Sequence, residues 1–150
     1  MKKSILYMLV LAAVLVCPTK ATDVGKLQPV QTIAVYKNED GYTVLTDTDD
    51  VGKGESIDSA IDNLKATTPA TIYLDTAQYL IVNEESTIDS IRPHLKKNVK
   101  LCRFVGEPPM KSVSKFLSAH KAGVTLGDWQ YGTKLLVLDC TKDRLKFFGK

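Results

Sequence analysis

Five residues in one short loop have the spacing of a calcium site. Asp47, Asp49, Gly52, Glu55 and Asp58 fall at positions 1, 3, 6, 9 and 12 of an EF-hand loop, where carboxylate oxygens and a glycine turn wrap the ion. Against this, Val51 occupies a ligand position, and the residues ahead of Asp47 read as a strand where the motif needs a helix. Residues 47–58 are therefore expected either to bind calcium or a small ligand weakly or, more plainly, to form a solvated acidic loop. Gly52, Lys53 and Gly54 also precede a helical pattern, as in a phosphate-binding loop, but without the spacing of a Walker loop. Asp47, Asp49 and Asp50 would repel a phosphate, and Glu55 already puts negative charge where a helix start favours it. The two glycines are expected to form a flexible turn into a capped helix.

Catalytic groups are sparse. His94 follows Pro93 near a helix end, and His120 closes a helix beside Lys121; neither has a sequence neighbour that would make it a general base. With no nucleophile elbow, no paired His and no CxxC, the chain is expected to be non-enzymatic and without cofactor or zinc. Cys102 and Cys140 lie in strand-like segments, where they are either a disulfide of an exported protein or two small core residues. Lys96, Lys97, Lys100 and Arg103 form the one basic concentration, suited to helix C-terminal compensation or to contact with anionic headgroups or an acidic partner. Trp129 and Tyr131, in GDWQYG, are flanked by turn residues and expected to be partly exposed as interface anchors or as cover for the core edge.

The elements that would position these groups follow from periodicity. Residues 31–36 (QTIAVY) and 42–46 (YTVLT) are β-branched and aromatic runs either side of a segment ending Asp40-Gly41, a hairpin signal. Residues 48–54 read as an acidic, glycine-rich loop. Ile57, Ala60, Ile61 and Leu64 then recur at helical spacing and predict an amphipathic helix with one buried stripe. Residues 71–82 read as a long strand with a polar interruption. Ile88, Ile91 and Leu95 predict a second helix, which Pro93 should kink or shorten. A strand over 99–105, a helix over 110–120 and a closing strand over 135–140 complete an α+β domain: a mixed β-sheet, a hairpin plus strands joined by helical crossovers, packed against three helices.

The amino terminus reads separately. Lys2 and Lys3 precede an apolar run over residues 5–16, then Pro18, Thr19, Lys20 and Ala21, which is the layout of a secretory signal occupying residues 1–21. Cys17 is a possible lipid-attachment site, although Val16 precedes it where a small residue is usual. Of the 20 basic residues, the signal holds Lys2, Lys3 and Lys20 and no acid, so the remainder balances the 17 acids. A neutral domain has lost the electrostatic argument for nucleic acid. Residues 22–150 are enough for a single domain and contain no further long apolar run, so no span is expected after the signal.

Taken in order, these segments resemble a known family. The hairpin near Gly41-Tyr42-Thr43-Val44, then GKGESIDSAIDNL, then IYLDTAQYLIVNEE and VKLCRFVGEPPMKSVSKFL, is similar to the N-terminal domain of the Ger(x)C family, the C subunits of spore germinant receptors. Gly52, Lys53, Gly54, Ile57, Ala60, Ile61, Leu64, Ile81, Val82 and Glu84 occupy the corresponding places. The resemblance implies an extracytoplasmic, membrane-attached accessory subunit that meets a protein partner at the membrane surface. It brings no catalytic or ligand-binding residue with it, and it is silent on oligomeric state.

Overall fold

A computed structural model describes residues 2–16, 27–121 and 123–148. In chain order its elements are α1 (Lys2–Val16), β1 (Leu27–Pro29), β2 (Thr32–Asn38), β3 (Gly41–Thr46), β4 (Val51–Gly54), α2 (Ile57–Thr67), β5 (Thr71–Tyr73), β6 (Tyr79–Val82), α3 (Ile88–Ile91), β7 (Lys100–Gly106), α4 (Met110–His120), β8 (Val124–Thr125), β9 (Val137–Cys140) and β10 (Lys146–Phe147). The expected class is observed: a mixed sheet with helices packed on it. Its strand order is β10-β9-β7-β6-β2-β3-β4, with β8 pairing on β7. Strands β2, β6, β7 and β9 are mutually parallel, while β3, β4, β8 and β10 run antiparallel to their neighbours. Where both faces are covered, in β6 (YLIV) and over residues 33–35 of β2, the strand reads as a continuous apolar run.

Helices α2 and α3 lie on one face and α4 on the other. The stripe Ile57, Ala60, Ile61 and Leu64 of α2 is buried against Ile33, Val35, Val44, Leu80, Val82 and Leu101. Each such side chain contributes about 1.5–3 kcal/mol relative to exposure. The helix starts at a capping box, in which Ser56 Oγ accepts from the Ser59 amide and Ser59 Oγ accepts from the Ser56 amide. On the opposite face Met110, Val113 and Leu117 of α4 cover Ala34, Ile81, Cys102, Phe104 and Leu138.

Two local expectations change and a third is met. Residues 48–54 are not wholly loop, because residues 51–54 form the edge strand β4. Its glycines admit α2: a Cβ at Gly52 would stand 2.2 Å from the Ala60 carbonyl oxygen, and one at Gly54 2.5 Å from the Ala60 nitrogen. The glycines thus serve helix–strand contact, and Asn63 Oδ1 of α2 accepts the outward Lys53 amide at 3.0 Å, blunting the edge. The long strand over 71–82 is two strands in two sheets. A 3-10 turn over Leu74–Thr76 separates β5, which pairs with β1, from β6 in the main sheet. Finally, Pro93 shortens the second helix to α3 and a following 3-10 turn over Arg92–His94, since proline cannot donate to the previous turn.

Helix α1 stands apart in character. Its side chains from Ile5 to Leu11 are 57–78 % exposed. No helix among the described residues is long and apolar enough to cross a membrane. Cys17 and the expected cleavage site before Thr22 lie outside the described residues.

Candidate functional site

The densest convergence of polar side chains is the seam where α4 seats on the amino end of β2. Ser114 is placed there by the helical stripe that also buries Val113 and Leu117, and it is itself buried. Its Oγ accepts from Thr32 Oγ1 at 3.0 Å and lies 3.2 Å from Asp47 Oδ2, to which it donates. Asp47 also accepts from the Gln31 amide at 3.1 Å, and Gln31 Nε2 donates to Ser118 Oγ at 2.7 Å. Gln31, Asp47, Lys111, Ser114, Lys115 and Ser118 line an open cleft of about 450 Å3. The cleft offers a carboxylate, two hydroxyls, an amide and two ammonium groups, an assortment suited to a small polar ligand. Of these residues only Asp47 was singled out by sequence. Gln31, Ser114 and Ser118 carry no local signal, because the partners that make them a site are 16 to 87 residues away along the chain.

The calcium geometry fails. Asp47 turns to Ser114, Asp49 pairs with Lys111, Asp58 accepts from His94 Nε2 at 2.6 Å, and Glu55 lies at the far end of β4. With a strand at residues 51–54 the loop cannot close on an ion, and no group of three His, Cys, Asp or Glu among the described residues could hold a metal. His94, which lacks a partner in sequence, thus has one in space, in an exposed contact between the first turn of α2 and the 3-10 turn after α3.

No disulfide joins Cys102 and Cys140. The register sets Arg103 against Val137 and Gly106 against Cys140, so the two cysteines are offset by about four residues along neighbouring strands, roughly 13 Å, beyond the reach of a bridge of about 7 Å between Cα atoms. Cys102 is a core thiol and Cys140 a half-buried one, and burial pushes the pKa of each up to about 11. Tyr36, which packs edge-on to Phe104 at 4.8 Å, is pushed up to about 12 by burial and then by Glu107 and Cys140.

The expected basic concentration is split by strand parity. Lys100 points to the α4 face, where its Nζ donates to the Lys121 carbonyl at 2.6 Å and caps the helix; Arg103, three residues on, points to the other face. Lys96 and Lys97 are exposed beside Lys100. The aromatic expectation is half corrected. Trp129 is 2 % exposed and belongs to the α2-side core, under the guanidinium of Arg92 at 5.4 Å, because the turn that holds it folds back onto the sheet. Tyr131 is 69 % exposed and packs at a tilt on Trp129, ring centroids 5.0 Å apart; its hydrogen bond to Asp89 raises the phenol above its ordinary pKa.

No family model, no curated protein and no solved structure matches the chain.

Proposed function

We propose that the chain is an exported, non-enzymatic interaction module, resembling the N-terminal domain of a spore germinant receptor C subunit, that works by protein contact at the outer face of the cytoplasmic membrane. The observation that carries this reading is α1. Its side chains from Ile5 to Leu11 stand in water although each large one gains about 1.5–3 kcal/mol from an apolar surrounding, and Lys2 and Lys3 precede them. A helix of this kind belongs in a translocon or a bilayer and delivers the α+β body to a membrane surface. Crosslinking on intact membranes should recover the body with a membrane protein. Recovery of the chain wholly in the cytosol, uncrosslinked, would overturn the reading.

The seam at Asp47 favours a second reading, a small-ligand domain that uses the first part of the acidic loop. A screen of small polar solutes by thermal shift should then find one whose stabilisation disappears in Asp47→Asn. A shift that survives this change would place the ligand elsewhere.

A further inference from the structure

The whole chain carries a formal +3, which residues 1–21 supply. At the carboxyl ends of the parallel strands, Glu39, Asp40 and Glu84 line one shallow groove, and Glu55 and Glu107 lie alongside. At the amino ends Asp47, Asp49 and Asp50 sit below β2 and β3, held by Ser114, Lys111 and Gln28, and lysines collect at the β7 side of the same edge. Lys96, Lys97, Lys100 and Lys121 gather around the short strand β8: Gly127 donates to the Lys97 carbonyl, β8 pairs with Lys100, and Lys100 reaches the Lys121 carbonyl. Asp128, the acid next to them, is tied to Thr125 at 2.7 Å.

The chain also enters the body at this end. β1 leads directly to Gln31, whose carbonyl accepts from Gln78 and Tyr79, and the Gln78 carbonyl accepts from Lys100. Gln31 and Lys100 are thus two strand spacings apart, about 10 Å. Residues 17–26, which link α1 to β1, reach at most about 35 Å even when fully extended. A membrane that holds α1 is therefore within reach of the lysines.

We propose that the amino-terminal edge of the sheet, through Lys96, Lys97, Lys100 and Lys121, is a docking face for an anionic phospholipid surface. This rests on the reading that α1 brings the chain to a membrane, and it adds the orientation in which the body sits. Lysine headgroups near such a surface contribute additively and are screened by salt. Arg103, on the other face of β7, takes no part.

Flotation of the full chain with neutral phosphatidylcholine vesicles, and with vesicles in which about a third of the lipid is phosphatidylglycerol, separates the two contributions. The wild type should bind the anionic vesicles more tightly at low salt, and the difference should shrink at high salt. Lys96→Gln, Lys97→Gln and Lys121→Gln together should reduce that difference about tenfold or more, whereas the corresponding triple arginine variant should retain it, and Lys37→Gln with Lys53→Gln should leave it unchanged. Equal binding of the wild type to both vesicles overturns the lysine assignment and leaves the membrane reading in place. Binding to anionic vesicles alone, lost in the glutamine variant, supports the lysines and removes α1 as the membrane element. Binding to neither overturns both, and an arginine variant that fails like the glutamine variant reduces the lysines to a structural role.

Discussion

The two faces of the sheet hold their helices by different physics. On one, α2 sits so close to β4 that only glycine fits beneath it, and its buried stripe is aliphatic. On the other, α4 combines an apolar stripe with a polar seam, Thr32 to Ser114 to Asp47 and Gln31 to Ser118. The first arrangement derives its strength from area and close approach, which tolerate no added volume. The second gives up some apolar burial and gains directional contacts, which fix how the helix lies and leave polar groups at a solvent-facing cleft. The closest packing is therefore on the α2 side, and the solvent-facing polar groups are on the α4 side.

This contrast is open to direct attack. The largest effect is expected for Gly52→Ala, which must push α2 off β4 and should cost about 3 kcal/mol or more in denaturant unfolding. A loss below about 1 kcal/mol would show that the α2 contact is looser than described. Ser114→Ala leaves Thr32 Oγ1 without its acceptor and Asp47 Oδ2 without its donor, and should cost about 1–2 kcal/mol while leaving the m-value unchanged. The two changes lie in separate clusters on opposite faces, so their costs should add.

Alkaline pH should act mainly through the α4 face, where the buried titratable groups lie. Tyr36, Cys102 and Cys140 are all raised in the fold, with burial the first cause of each. The stability they provide is whole below the ordinary values of 9.0 for a thiol and 10.0 for a phenol. It is lost as pH climbs through about 11 and about 12, because the unfolded chain then gives up protons that the folded one retains. Melting temperature should fall across that window, and less steeply in Tyr36→Phe; an identical slope would place the loss elsewhere. The smallest effect belongs to Lys121, a lysine at φ 49° in the C-cap of α4. Lys121→Gly should raise stability by about 0.5–1 kcal/mol, since glycine adopts this conformation without strain. The same change removes one charge from the proposed docking face, so a gain in stability should accompany weaker anionic-lipid binding.

What the sequence determined by itself is everything that depends on neighbours within a few residues. The 3.6-residue spacing of Ile57, Ala60, Ile61 and Leu64 specified α2 and its buried side, and the limits of α4 and the β2–β3 hairpin were equally legible. Periodicity states which side of an element is apolar. It does not state which distant element will cover that side. Tertiary structure therefore decided that β5 and β6 belong to different sheets, that residues 51–54 form a strand because α2 packs on their glycines, and that Trp129 is core while Tyr131 is surface. It also placed the two cysteines out of each other's reach and joined Lys121 to lysines some twenty residues earlier. The physical reason is common to all of these: each is a pairing whose free energy arises only after the chain has closed a long loop, so no local pattern carries its signature.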